Sequence, residues 1–415
     1  MTEVVESMSG GDLLPLWTLP EVRRASPAAR RAIRIAAENW MQGTLRFSLP
    51  KGRSLLIQGR LEGPEAEINV RDERAFRRML QSADIGFAFG FLEGEWDTPD
   101  LSVLLEALSL NFDRLKRLVD GHPLMRALHF VSHLMNRNSR SGARRNILAH
   151  YDLGNSFYGQ WLDPSMTYSS GLFSPGIETL EAAQRAKYER LARDMDLQAG
   201  MSVVEIGCGW GGFAEYAARE VGAKVVGLTL SDAQADYARA RMQAQGLSDR
   251  VEIRIQDYRD LTGLFDRVAS IEMFEAVGEE YWDVYFDTLR RVLKPGGRAG
   301  LQVITIRDDL FEDYRVRADF IKKYIFPGGM LPSTSRLRAD IKKAGLVETG
   351  LLSFGQDYAR TLQHWRTGFQ DSWSSVEKLG FDERFRRLWL FYLSYCEAGF
   401  RSGRTDVVQV QAARA

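Results

Sequence analysis

The 415-residue chain balances 55 Lys+Arg against 55 Asp+Glu, a formal net charge of +0, and is 45% hydrophobic and 27% charged. That composition excludes a disordered or fibrous protein and argues against a globally basic nucleic-acid binder, while the length predicts two or three structural units. Two cysteines, Cys208 and Cys396, are too few for a disulfide framework or a zinc cluster and suit a reducing, cytoplasmic compartment. The chain shows no basic start followed by an apolar stretch and no run of about 18 apolar residues, which disfavours secretion and membrane spanning.

In chain order, Arg23 to Trp40 reads as an Arg-rich helix and Gly43 to Leu49 as a strand with alternating Leu45, Phe47 and Leu49. Glu67 to Val70 is a second strand and Arg74 to Leu80 a short helix. The Gly-rich aromatic segment Gly86 to Trp96 follows, read as core packing or as a lipid-contacting surface. These predict a small separate α+β domain over 1–120. Arg114, Lys116, Arg117, Arg126, Arg137, Arg140, Arg144 and Arg145 then face a single acid, Asp120, among interspersed apolar residues. The segment, with 121–147 as linker, is either a solvated connection or a stretch that lies on anionic headgroups.

From Met201 onward short apolar runs alternate with helix-like stretches: Met201 to Ile206, Ala223 to Leu228, Val251 to Ile255, Phe265 to Ile271 and Gly297 to Ile304. This predicts a Rossmann-like α/β domain over 148–415, a mostly parallel, doubly wound sheet with ligands at the carboxyl ends of its strands. The first strand runs into Glu205, Gly207, Cys208, Gly209 and Gly211 and then a helix at Phe213. Glycines there allow a tight turn and let backbone N–H groups meet a ligand, and a carboxylate at the strand end can hold ribose or an amino group. The arrangement resembles the first motif of S-adenosylmethionine-dependent methyltransferases. Thr229 stands where many of these enzymes place an acid for the ribose, and with Gln234 it offers neutral hydrogen bonds instead. Tyr258, beside Arg259 after the third strand, can stack on an adenine ring.

Taken together, His150-Tyr-Asp-Leu-Gly-Asn155, Leu162-Asp-Pro164 with Tyr168-Ser169, Glu205 to Gly212, Gly227 to Ser231, Gln256 to Asp260, Met273-Phe-Glu275, Tyr324 to Gly328 and Cys396 to Arg401 resemble the cyclopropane fatty acid synthases and related mycolic acid methyltransferases. The resemblance implies transfer of the methyl of S-adenosylmethionine to the cis double bond of a phospholipid acyl chain by a cytoplasmic enzyme at the inner membrane face. It implies that the N-terminal domain engages lipid, and that Tyr168, Ser169, the Val203 to Gly211 loop, Thr229 through Gln234, Tyr258 and Arg259 hold the cofactor. Glu275, Tyr358 and Cys396 would line the reaction site, and a bicarbonate held partly by Glu275 and Tyr358 would serve as base. The expected partner is unsaturated phospholipid, with no nucleic acid and no metal, and a homodimer is admitted.

The chain departs from the family pattern at Ser170, Ala276 and Gln302, where Cys, His and His are usual. All three fall at the proton-removing end of the site. Two outcomes stay open: an ordinary cyclopropane synthase that tolerates these changes, and an enzyme giving a methyl-branched unsaturated chain. Outside that class stand a catalytically silent lipid-binding protein and a methyltransferase for another small molecule.

Overall fold

The computed structural model describes residues 20–50, 53–115, 153–317 and 319–415. The basic segment beyond Leu115 and the residues His150, Tyr151 and Asp152 lie outside them. The chain divides into two compact units. One contains the described residues up to 115 with Val316–Lys323 and Gly380–Ser402, and the other the described residues from 153 to 315 with Tyr324–Leu379 and Gly403–Ala415. This division differs from the contiguous boundaries expected above, because the helix Glu383–Arg401 packs on the helix Leu101–Leu110 of the N-terminal unit. Ser102 donates to the fully buried Glu397 at 3.0 Å, and Arg401 pairs with the same carboxylate at 2.7 Å.

In the N-terminal unit Ser26 caps the helix Pro27–Asn39, accepting from the Ala29 N–H at 3.2 Å, and Pro27 sits in the first turn, where its missing N–H breaks no helical bond. Strand β1 (Gln42–Leu49) buries Leu45, Phe47 and Leu49. It pairs antiparallel with β2 (Arg53–Gln58) and parallel with β3 (Leu61–Val70), which also carries β4 (Trp96–Asp97). The short helix expected at Arg74 instead extends over Arg74–Leu92, broken at Ser82 and Ala83, and takes in most of the aromatic segment. Gly86 permits this fold-back, since a Cβ there would lie 2.1 Å from the Arg78 carbonyl oxygen. Phe87 stacks on buried Trp96 at 4.2 Å, and Phe91 packs against Trp96 and Phe391, so these rings form core. Among the described residues no helix is long and apolar enough to cross a membrane.

The second unit is built on a seven-stranded sheet: β5 (Ser202–Ile206), β6 (Lys224–Thr229), β7 (Val251–Ile255), β8 (Phe265–Ile271), β9 (Leu293–Ile306), β10 (Leu346–Ser353) and β11 (Thr405–Arg414), in the order β10-β11-β9-β8-β5-β6-β7. Strands β5 to β9 are parallel, and β11 runs antiparallel to both β9 and β10. The expected doubly wound α/β fold is therefore present, with an antiparallel edge that the strand–helix alternation did not announce. Separate apolar clusters fill the two faces. One holds Trp282, Phe286, Leu289 and Leu337, and the other Leu191, Phe213, Ala235 and Ala238. Strand order reverses between β5 and β8, which opens a crevice at their carboxyl ends.

Candidate active site

The turn after β5 holds Gly207 at φ 85°, Gly209 at φ 52° and Gly211 at φ 83°, backbone values that side chains disfavour. A Cβ on Gly207 would also lie 2.7 Å from the Met273 side chain, so this turn closes only without one. Tyr168, Ser169, Glu205, Gly207, Cys208, Gly209, Thr229, Gln234, Tyr258 and Arg259 all line one cavity of about 170 Å³ at the crevice. Gly211 lies behind that lining and begins the helix Gly212–Tyr216. The Cys208 thiol is buried and pushed well up by desolvation, so it acts as a small packing group.

Glu205 is buried, and its Oε2 has no hydrogen-bond partner. Burial pushes its carboxyl up to about 8, against the charge of Lys187. An unsatisfied acceptor of this kind at a strand end fits a pair of ribose hydroxyls. On the next strand Thr229 donates to Gln234 Oε1 at 2.8 Å and accepts from the Ser231 N–H at 3.1 Å, a neutral pair in place of an acid. Arg259 is forked onto Asp257 at 2.9 and 2.5 Å and lies over the Tyr258 ring at 5.7 Å, which fixes that ring as a flat wall. Tyr168 packs among Tyr158, Trp161 and Trp365 with centroids 5.0 to 5.7 Å away. Asn155, from the His150 to Asn155 motif, accepts from the Trp210 indole N–H at 2.8 Å.

Beside the cavity a carboxylate not anticipated from the sequence gathers Ser170 and Gln302, two of the three residues expected to depart from the family pattern. Glu272 follows β8 with φ at 49°, a left-handed value for a non-glycine residue, and lines the cavity. Its Oε1 accepts from the Ser170 N–H and from Gln302 Nε2, both at 2.8 Å, and its Oε2 accepts from the Tyr358 hydroxyl at 2.5 Å. Gln302, itself fully buried, donates also to the Ser170 carbonyl at 3.2 Å and accepts from Gln409 Nε2 at 3.1 Å. Ser170 turns its hydroxyl to the Gly171 carbonyl at 2.9 Å.

Burial pushes the Glu272 carboxyl up, while the Lys187 charge and the hydrogen bonds from Tyr358 and Gln302 hold it down. Lys187, fully buried and depressed by desolvation, donates to Ser169 Oγ at 2.6 Å. Glu275 accepts from the Ile304 N–H at 2.5 Å through Oε1, and its buried Oε2 has no partner. Desolvation and the neighbouring Glu272 raise it to about 8, so near neutrality Glu275 holds its proton.

The structure thus brings Ser170, Gln302 and Tyr358 onto one acid, with Glu275 close behind. Cys396 belongs to the other compact unit, on the Glu383–Arg401 helix, its thiol raised by burial and by Asp319. Two residues escaped the sequence reading. Glu272 carries the signal of an acid at the carboxyl end of a parallel strand. Lys187 carries that of a lysine on the apolar face of the helix Leu180–Asp194, four residues after buried Ala183 and four before buried Leu191.

A doubly wound sheet with this glycine turn, ribose acceptor and aromatic wall at its switch point is the fold and site of an S-adenosylmethionine-dependent methyltransferase. The chain belongs to the mycolic acid cyclopropane synthetase family, which it matches over residues 138–410. It is 40% identical over 355 residues to the tuberculostearic acid methyltransferase UfaA1 of Mycobacterium tuberculosis, spanning 82% of this chain and 81% of that one. With the cyclopropane-fatty-acyl-phospholipid synthase of Escherichia coli it shares 35% identity over 351 residues, 84% of this chain and 88% of that one. The crystal structure of the mycolic acid cyclopropane synthase CmaA1 complexed with SAH and CTAB matches 65% of this chain and 98% of that one at 31% identity, with a TM-score of 0.61.

Proposed function

We propose that the protein methylates a cis double bond in an unsaturated acyl chain of membrane phospholipid, working from the cytoplasmic face and giving a cyclopropane or methyl-branched chain. The observation that carries this reading is the cavity itself, which has a ribose acceptor, Glu205, at one end and a hydrogen-bonded carboxylate, Glu272, at the other. The names of the relatives support an acyl substrate. S-adenosylmethionine supplies an electrophilic methyl group on a sulfonium. An alkene has no acidic proton to give up beforehand, so its methylation leaves a cation on the chain, and a base is needed only afterward. Aromatic faces such as Tyr168 stabilise a cation by roughly 0.5–2 kcal/mol each.

The test is incubation of the purified protein with vesicles of mono-unsaturated phospholipid and S-adenosylmethionine carrying a trideuterated methyl, followed by mass spectrometry of the released acyl chains. Cyclopropane products retaining two deuteria, or branched unsaturated products retaining three, support the reading and tell the two outcomes apart. Absence of label while the cofactor still binds in calorimetry would overturn it in favour of a lipid-binding protein.

A further inference from the structure

Three hydrogen-bond donors beside this cavity converge on one side chain of the protein. The Ser170 N–H, the Gln302 amide and the Tyr358 hydroxyl all point to Glu272, and Gln409 holds Gln302 in the orientation that makes this possible. A bicarbonate held there by Glu275 and Tyr358 does not fit these residues. Tyr358 has its hydroxyl proton committed to Glu272 Oε2, and a bicarbonate reaching the one unpartnered oxygen of Glu275, Oε2, would bring a further acidic group against the buried Glu272 carboxyl. Resting on the methyltransfer reading above, we infer that Glu272 is the resident proton acceptor of this enzyme, occupying with its own carboxylate the place of a bound bicarbonate.

Other bases are poorly placed. His364, the sole histidine among the described residues, stacks on Phe173 at 5.8 Å and does not line the cavity. Gln302 cannot take up a proton near neutrality. Glu275 holds a proton of its own near neutrality and stands behind the cavity wall. Glu205 sits at the end of β5, where the glycine turn begins. A purely structural Glu272 would gain nothing from a left-handed backbone, and strain of this kind, costing about 1–3 kcal/mol, gathers at functional sites.

The step balances simply. Once the methyl–carbon bond has formed, a C–H bond next to the cationic carbon breaks, or one on the new methyl. Its electron pair closes the new C=C bond or the ring C–C bond, and the proton passes to a Glu272 oxygen. Glu272 then returns that proton to solvent.

The inference is tested by assaying lipid labelling in CO2-free buffer with and without added bicarbonate, for the wild type and for Glu272→Gln and Glu272→Gly, with cofactor binding followed by calorimetry. Wild-type turnover should be the same with and without bicarbonate. Both variants should still bind cofactor, yet lose roughly a hundredfold or more in turnover, the scale of a missing general base. Added formate or bicarbonate should restore Glu272→Gly, where a pocket has opened, and leave Glu272→Gln inactive, where the amide fills it. Wild-type dependence on bicarbonate, full turnover by Glu272→Gln, or a Glu272→Gly protein that binds cofactor but stays inactive with either anion would each overturn the inference. A wild type that binds cofactor but labels no acyl chain would overturn the methyltransfer reading itself, a result none of the other outcomes produces.

Discussion

Tyr358, on the helix Gly355–Asp371, donates its hydroxyl hydrogen to Glu272 Oε2 across 2.5 Å, joining the helix that follows the edge strand β10 to the turn that ends β8. The pair places a neutral donor on one oxygen of the carboxylate while the Ser170 N–H and Gln302 occupy the other. The orientation of the acid is therefore set from three separate parts of the chain.

Removing that donor gives the first prediction. Hydrogen bonds to a charged group contribute about 1.5–3 kcal/mol, so Tyr358→Phe should lower turnover by roughly 10- to 100-fold. Cofactor affinity should not change, because Tyr358 does not line the cavity. Steady-state kinetics with calorimetry would check this, and unchanged turnover would count against a role for the pair in the reaction.

Cofactor binding should depend on pH through Glu205. The free carboxyl is raised to about 8, whereas ribose hydroxyls need the anion as acceptor, so binding expels a proton. Affinity for S-adenosylhomocysteine should rise with pH by up to about tenfold per unit and level off above about 8. In Glu205→Gln the slope should vanish and binding should be weak throughout. Calorimetry in buffers of different ionisation enthalpy would count the protons released.

Stability should respond to Glu275 in the opposite direction. Its carboxyl titrates near 4.5 when unfolded and near about 8 when folded, so between these values the folded state alone keeps the proton and stability falls as pH rises. Glu275→Gln does not titrate and can still accept from the Ile304 N–H. Denaturant melts should find it close to the wild type near pH 5 and more stable by about 1–4 kcal/mol near pH 8. A constant difference across this window would refute the assignment.

The cofactor turn should be intolerant of any side chain at Gly207. Alanine there would combine a positive φ of 85° with a Cβ 2.7 Å from the Met273 side chain. Gly207→Ala should lose about 1–3 kcal/mol of stability and weaken cofactor binding at least about tenfold. Thermal melts with and without cofactor would measure both.

In the N-terminal unit, Arg401→Met would remove the cation paired with Glu397 at 2.7 Å, a carboxylate that is fully buried. Breaking a buried pair from one side costs about 3–5 kcal/mol, and the partial exposure of Arg401 reduces this to about 2–4 kcal/mol. Chemical denaturation would check the value. A loss below about 0.5 kcal/mol would show that the pair behaves like a surface one.

Much of the fold was legible in the chain because it rests on local chemistry. The alternation at Leu45, Phe47 and Leu49 made β1 readable, and apolar runs such as Val203-Val204 marked the parallel strands. The glycines after β5 announced a cofactor turn because only they tolerate its backbone. The antiparallel strands β10 and β11 were not legible. Their pairing joins residues 346–353 to 408–414, and no short-range pattern encodes it.

The candidate site divides in the same way. The residues expected around the cofactor, Tyr168 and Ser169 apart, lie at or just beyond the ends of strands, so motif and strand order suffice to bring them to one cavity, and that much the sequence by itself determined. In the other half Ser170, Gln302, Glu275 and Tyr358 were named from the resemblance, but their arrangement around Glu272 was decided only by tertiary structure. Glu272, Ser170, Gln302, Tyr358 and Lys187 come from distant segments, and their meaning depends on which side chain fills the space that its neighbours leave. In the sequence Ser170, Ala276 and Gln302 are three departures from a pattern. Two of them, Ser170 and Gln302, become in space a set of donors around a carboxylate, because hydrogen bonds and burial act over a few ångströms whatever the separation along the chain.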